Sequence, residues 1–139
     1  MQYMKTIKQK TAFYATFLTG ILLVFIGVRF LLNPLGAETG FGIHVPVNGN
    51  FSFHYIKGIR DLFSGIIILL LLFVREFRAL GVLLLAATII PAVDFFIVWN
   101  TPDHVGANLY PHLTAVVLAV VLGVYYTFSP SKNQHYAAV

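Results

Sequence analysis

The chain carries a series of apolar blocks, each long enough to cross a lipid bilayer, and that property most limits what it can fold into. A membrane span needs roughly 20 apolar residues. Inside a bilayer only helices and closed barrels can satisfy their own backbone polar groups. Four blocks stand at about 12–32, 56–74, 79–99 and 109–128. Continuous apolar runs of this length read as helical spans. The expected fold class is therefore all-α: an antiparallel bundle of four transmembrane helices forming one integral membrane domain over residues 1–139. Four spans with short links use nearly the whole length and leave no room for a separate soluble domain.

Composition agrees. Hydrophobic residues make up 58% of the chain and charged residues 10%, against about 25% charged in a soluble domain. The net charge of +4 does not point to nucleic acid, because the basic residues flank apolar blocks and form no patch interleaved with aromatics. The chain has no cysteine, which excludes dithiol redox chemistry and thiolate metal sites. Lys5, Lys8 and Lys10 precede the first block as in a signal peptide, but the block is too long and no small-x-small cleavage site follows. It reads as an uncleaved first helix.

Local signals place the boundaries. Asn33-Pro34 ends the first span. Residues 35–55 hold Gly36, Gly40, Gly42, Pro46 and Gly49 and read as a long extracytoplasmic loop. Its Phe41, Ile43, Val45, Val47, Phe51 and Phe53 should lay it on the membrane surface or over the bundle. The short Arg75–Arg78 link makes spans two and three antiparallel neighbours. Pro91 is expected to kink span three. Lys5, Lys8, Lys10, Arg75, Arg78 and Lys132 all fall on one side, which makes both termini cytoplasmic by the positive-inside rule.

Ionisable residues inside the spans are few, and such residues face the bundle interior and pair with one another. Arg29, Arg60, Asp61, Asp94 and His112 all lie one to two turns below the outer ends of their helices, roughly 5–8 Å deep. Lys57 stands at the mouth of span two. Lys57, Arg60, Asp61 and Ser64 follow the i, i+3, i+4, i+7 spacing of a single helical stripe. The charges of Arg29, Arg60, Asp61 and Asp94 sum to zero, as in a closed network around a small cavity. Asp94 beside His112 would form an acid–base pair, with Arg29 or Arg60 holding an anionic or carbonyl oxygen and Lys57, Asp61 and Ser64 completing the ligand contacts.

The competing reading is structural: lipid gives no hydrophobic drive for helix association, so a polar layer can serve only to hold the helices together. Metal binding has less support. His44, His54, His104 and His112 are on the same side, and Asp103, His104 and His112 could supply ligands with Asp94, yet no i, i+4 His pair exists and His44 and His54 fall in the expected loop. No P-loop or dinucleotide fingerprint points to a cofactor. Trp99, Tyr125 and Tyr126 read as interfacial belt residues.

The run Gly27-Val28-Arg29-Phe30-Leu31-Leu32-Asn33-Pro34, then Phe41-Gly42-Ile43, Lys57-Gly58-Ile59-Arg60-Asp61-Leu62-Phe63-Ser64-Gly65, Pro91-Ala92-Val93-Asp94 and His112 resembles a family of small four-helix membrane proteins of unknown function. That family is distantly similar to the DoxX-like group. The Lys-Gly-x-Arg-Asp run is the most specific part. The resemblance implies the four-helix fold and the polar cluster. Through the DoxX-like group's association with quinone-linked oxidation, it also suggests a quinone or similar lipophilic ligand. Three functions compete. The leading one is a site for a small lipophilic molecule, with acid–base chemistry by Asp94 and His112. The second is a structural or accessory membrane subunit. A transporter ranks last, since no charge lies in the inner half of any span. The expected surroundings are the lipid bilayer, and the all-round hydrophobicity of spans two and four is compatible with a homodimer.

Overall fold

Each helix starts and stops on a local signal. The computed structural model describes residues 6–46, 48–102 and 104–129. Lys5, Asp103 and Lys132, invoked above for orientation and ligation, lie outside the described residues.

Helix α1 (Ile7–Leu32) opens with a capping box: the Thr6 hydroxyl accepts from Gln9 N and the Gln9 side chain accepts from Thr6 N. It therefore starts more than a turn before the apolar block. At its end, Asn33 caps the next helix, accepting from Gly36 N at 3.2 Å, and Pro34 fills a first-turn position that needs no N–H donor. The result is α2 (Pro34–Phe41), which ends at Gly42 in the left-handed conformation, φ 97°. The segment expected to be loop throughout is thus helical in its first part. Residues 42–46 and 48–51 are non-helical, and α3 (Ser52–Phe73) begins one turn earlier than expected.

A reverse turn closes α3. Glu76 N donates to Leu71 O at 3.0 Å while Arg75 takes the left-handed conformation, φ 65°, which is the Schellman arrangement. The chain then returns as α4 (Phe77–Ala87) and α5 (Ile89–Trp99), which together form the expected third span. Pro91 has no N–H to offer the Ala87 carbonyl, and the helix breaks at Thr88. Thr88 Oγ1 donates to Leu84 O at 3.0 Å across the break. After a 3₁₀ turn at Gly106–Asn108 comes α6 (Leu109–Phe128), with the expected bounds. No strand occurs among the described residues.

The helices pack as two pairs, α1 with α3 and α4–α5 with α6. Glycines allow close backbone approach within each pair, as in membrane helix packing. A Cβ placed on Gly27 of α1 would stand 2.5 Å from Leu62 N of α3, and one on Gly65 would stand 2.6 Å from Gly20 O. In the second pair, a Cβ on Gly81 would stand 2.5 Å from Thr127 N. The pairs join at two places. At the end bearing the α3–α4 turn, Ala12, Ile68, Leu72, Leu80, Leu84, Leu122 and Tyr126 form an apolar cluster. There Thr16 Oγ1 and Tyr126 Oη are hydrogen-bonded at 3.2 Å. At the opposite end Phe30, Ala37, Phe41 and Val98 form a second cluster, to which α2 contributes Ala37 and Phe41.

The distribution of side chains is inverted relative to a soluble bundle. Thr16, Glu38, His54, Lys57, Asp61, Asp94 and His112 are buried, while Leu22, Phe25, Ile59, Phe63, Ile66, Val93 and Val121 are exposed. Three stretches, Ile7–Leu32, Phe77–Trp99 and Gly106–Phe128, are long and apolar enough to cross a membrane. These are the marks of an integral membrane protein. Helix α3 matches them in length, with 22 residues, and differs by carrying Lys57, Arg60 and Asp61 in its first half.

Candidate functional site

Helix α3 turns one stripe toward the bundle interior, and that stripe carries His54, Lys57 and Asp61 on successive turns. Lys57 is 7% exposed and Asp61 4%. Burying an isolated charge is costly, so each must find a partner. Lys57 pairs with Asp61 one turn along the same helix and lies 3.4 Å from Asp94 of α5. The half-buried Arg60 bonds Asp94 through NH2 at 2.8 Å and Asp61 through Nε at 3.3 Å. Two cations and two carboxylates thus form a closed, neutral ring joining α3 to α5. Two aromatic faces flank the ammonium: Lys57 Nζ lies 4.8 Å from the Phe41 ring centre and 5.4 Å from that of Phe30.

The ring has a different membership from the one the spacing suggests. Lys57, placed at the mouth of its span by sequence, sits inside the ring. Arg29, expected within it, stays outside, with NH2 donating to the Gly36 carbonyl at 3.0 Å and its guanidinium 5.9 Å from the Phe25 ring centre. Arg29 makes no ion pair with a carboxylate among the described residues. Ser64 donates its hydroxyl proton to the Arg60 carbonyl at 2.7 Å, within its own helix.

Asp94 and His112 do not hydrogen-bond each other. His112 Nε2 lies 3.0 Å from the Phe41 carbonyl, and the two rings meet edge to face at 4.8 Å. A carbonyl only accepts, so Nε2 carries a proton, and in the neutral tautomer that this contact selects Nδ1 is the acceptor. The helical α2 makes this possible by bringing the Phe41 carbonyl to α6.

Both residues nevertheless border one cavity, of about 380 Å³, between the two helix pairs. One wall holds the ion ring through Lys57, Asp61 and Asp94, with Ser64 beside them. Another holds His112, and Arg29 is at the α2 end. Phe30, Ala37 and Phe41 roof it, and Ile68, Leu84 and Leu122 of the opposite cluster floor it. Between roof and floor the lining is apolar: Leu22, Leu23, Ile26, Ile90, Ala115 and Leu118. Few polar groups converging on an apolar cavity of this size is the usual construction of a small-molecule site.

A second polar group lies beside it, and sequence reasoning missed it. Glu38 of α2 is 2% exposed. Its Oε2 meets His54 Nε2 at 2.6 Å and its Oε1 meets His44 Nδ1 at 2.7 Å. The Val45 N–H donates to Oε2 at 3.4 Å. His54, expected in a flexible loop, is fully buried on α3 among the rings of Phe30, Phe51 and Phe53. The readable signal was Asn33-Pro34-x-Gly36, a helix cap followed by proline, which turns Glu38 from a loop residue into one face of a helix. His44 and His54 each bond Glu38, and among the described residues no group of three or more His, Asp or Glu is arranged to hold a metal ion. His104 instead bonds the Thr101 carbonyl at 3.1 Å.

No curated protein and no solved structure matches the chain. Residues 20–126, which contain the ion ring, the Glu38 group and all of the cavity lining but Thr19, match the family described as Domain of unknown function (DUF4267), and the chain belongs to that family.

Proposed function

We propose that this protein spans the membrane four times, with both termini cytoplasmic, and binds a small lipophilic molecule in the cavity between its helix pairs. The cavity itself carries this reading: about 380 Å³ of mostly apolar space with an ion ring on one wall and a histidine on another. A ring serving only to hold helices together would need no such space beside it. Counting α3 as the fourth span is supported by its length and by its close packing along α1. Its three charges are matched within the bundle, which lowers the cost of placing them in the membrane. Lys8, Lys10, Arg75 and Arg78 support the orientation. Acid–base chemistry on the ligand would use His112 Nδ1 as acceptor, with Asp94 acting from the ring, each on the bound molecule and not on the other. A quinone, suggested by the distant DoxX-like resemblance, would fit the apolar lining; so would other flat or chain-like lipids.

Native mass spectrometry of the protein extracted in mild detergent, followed by lipid extraction, tests this. One lipophilic species should co-purify, and it should be missing from Ala119→Trp, whose indole would fill the cavity. Its amount should fall in His112→Ala without loss of fold. Protein that arrives empty, or bound only to another polypeptide, would leave the reading without support.

One observation favours the alternative of a structural or accessory subunit. The ring is self-neutralising and joins α3 to α5 with no outside partner required. On that reading, ring variants would lose the fold, and cavity-filling variants would gain stability and lose no function.

A further inference from the structure

We infer that the ligand is a single-chain amphiphile with one negative charge, a carboxylate, held by Arg29. The inference rests on the ligand-pocket reading above and specifies that ligand's head and shape.

The charge argument begins with the cavity wall. Lys57 and Arg60 are balanced by Asp61 and Asp94 in direct contact. Arg29 also borders the cavity and pairs with no carboxylate among the described residues, where it meets the Gly36 carbonyl at 3.0 Å and the face of Phe25. A carbonyl satisfies a donor without neutralising the charge. The carboxylate on the neighbouring helix, Glu38, is occupied by His44, His54 and Val45 N, and does not border the cavity. The wall therefore carries one uncompensated positive charge, and its complement is a monoanion. A guanidinium has five donors in a planar fork, of which this one uses a single arm internally. The remaining donors suit a two-oxygen planar acceptor, which is a carboxylate. Arg29 is exposed, so the head would sit where water still reaches it and would not bear the full cost of burial.

The shape argument comes from the helices. The lining runs along α1 from Arg29 to Thr19 and along α6 from His112 to Leu122. Ten helical residues rise ~15 Å. That equals about half the ~30 Å hydrocarbon core, the depth reached by one leaflet's chains. Leu22, Ile26, Ile90 and Leu118 line this length, with Lys57, Asp61, Ser64 and Asp94 on one wall of it.

The test uses full-length protein, delipidated in a neutral detergent and titrated with dodecanoate, dodecanol, dodecylamine and dodecyl phosphate, read by native mass spectrometry and thermal shift. Dodecanoate should bind one per chain, about tenfold or more tighter than the alcohol or the amine. Arg29→Gln should erase that preference while the alcohol still binds. Arg29→Lys, which keeps the charge and loses the fork, should retain a weaker preference for the acid. Equal affinity for acid and alcohol in the unaltered protein would overturn the anionic head and leave the pocket intact. Tighter binding of dodecyl phosphate would overturn the carboxylate in favour of a phosphate head. Dodecanoate binding that survives Ala119→Trp would overturn the location. Failure of every chain compound to bind saturably would overturn the pocket reading itself.

Discussion

Arg60 and Asp94 stand 34 positions apart in the chain and meet at 2.8 Å, joining α3 to α5 across the space between the two helix pairs. They are not an isolated pair. Lys57 lies 3.4 Å from the same Asp94 oxygen, and Asp61 lies 3.3 Å from Arg60. This changes what a charge swap should do. In the double variant Arg60→Asp/Asp94→Arg, each exchanged charge meets a like charge, Asp61 in one case and Lys57 in the other. The swap should therefore fail to rescue the fold. Single loss of Asp94 leaves Lys57 and Arg60 sharing one carboxylate, Asp61, and a buried pair losing one partner costs about 3–5 kcal/mol, here lowered by the partial exposure of Arg60. Thermal unfolding in detergent measures both. Recovery of the unaltered melting temperature by the swap would show a simple pair in place of the four-membered ring.

Glu38→Ala should loosen the α2 end of the bundle. It strips the partner from His54 Nε2, in a ring with no exposure whose Nδ1 already lacks one, and from the Val45 N–H. Each buried polar group left unpaired costs about 1–3 kcal/mol. The expected result is a lower melting temperature and faster proteolysis within 42–51. His44→Ala should do much less, because that ring's side chain is 86% exposed. An equal effect from both would mean that the loop, and not the buried contact, sets stability there.

The helices were legible because apolar length and charge placement are properties of single segments. The bounds of α6 matched, and Pro91 marked the broken span. What was not legible depended on tertiary placement. Lys57 reads as an interfacial lysine from its position near a helix end. It becomes internal only because α3 starts a turn early and packs along α1 at Gly27 and Gly58. Conversely, Arg29 lies at the same depth as the ring but contacts the Gly36 carbonyl of α2, a helix hidden among glycines. His112 borders the cavity, yet its partner is a backbone carbonyl, a group that no residue pattern displays.

Gly27→Ala should separate α1 from α3. The added methyl would stand 2.5 Å from Leu62 N and 2.7 Å from Gly58 O, both backbone atoms that cannot turn aside. Overpacking of this kind costs about 1–3 kcal/mol. Gly106→Ala is the matched control, since nothing lies within 4 Å of its added methyl. Parallel melting curves check the contrast, and equal loss in both would argue against backbone contact between α1 and α3.

Pro91 shapes the cavity wall, and its replacement should separate binding from stability. Pro91 and Ile90 border the cavity, with Asp94 one turn further along α5. With Pro91→Ala, an N–H becomes available to the Ala87 carbonyl, and the break at Thr88 can close into continuous helix. Straightening α4 into α5 would move Ile90 and swing Asp94 relative to Arg60. Melting temperature should change little, because the helix hydrogen bond gained offsets the weakened Arg60–Asp94 contact. Affinity for the co-purifying lipophile should fall about tenfold or more, measured by titration into delipidated protein. A variant that binds as well as the original would show that the kink serves helix packing alone and that the wall can form without it.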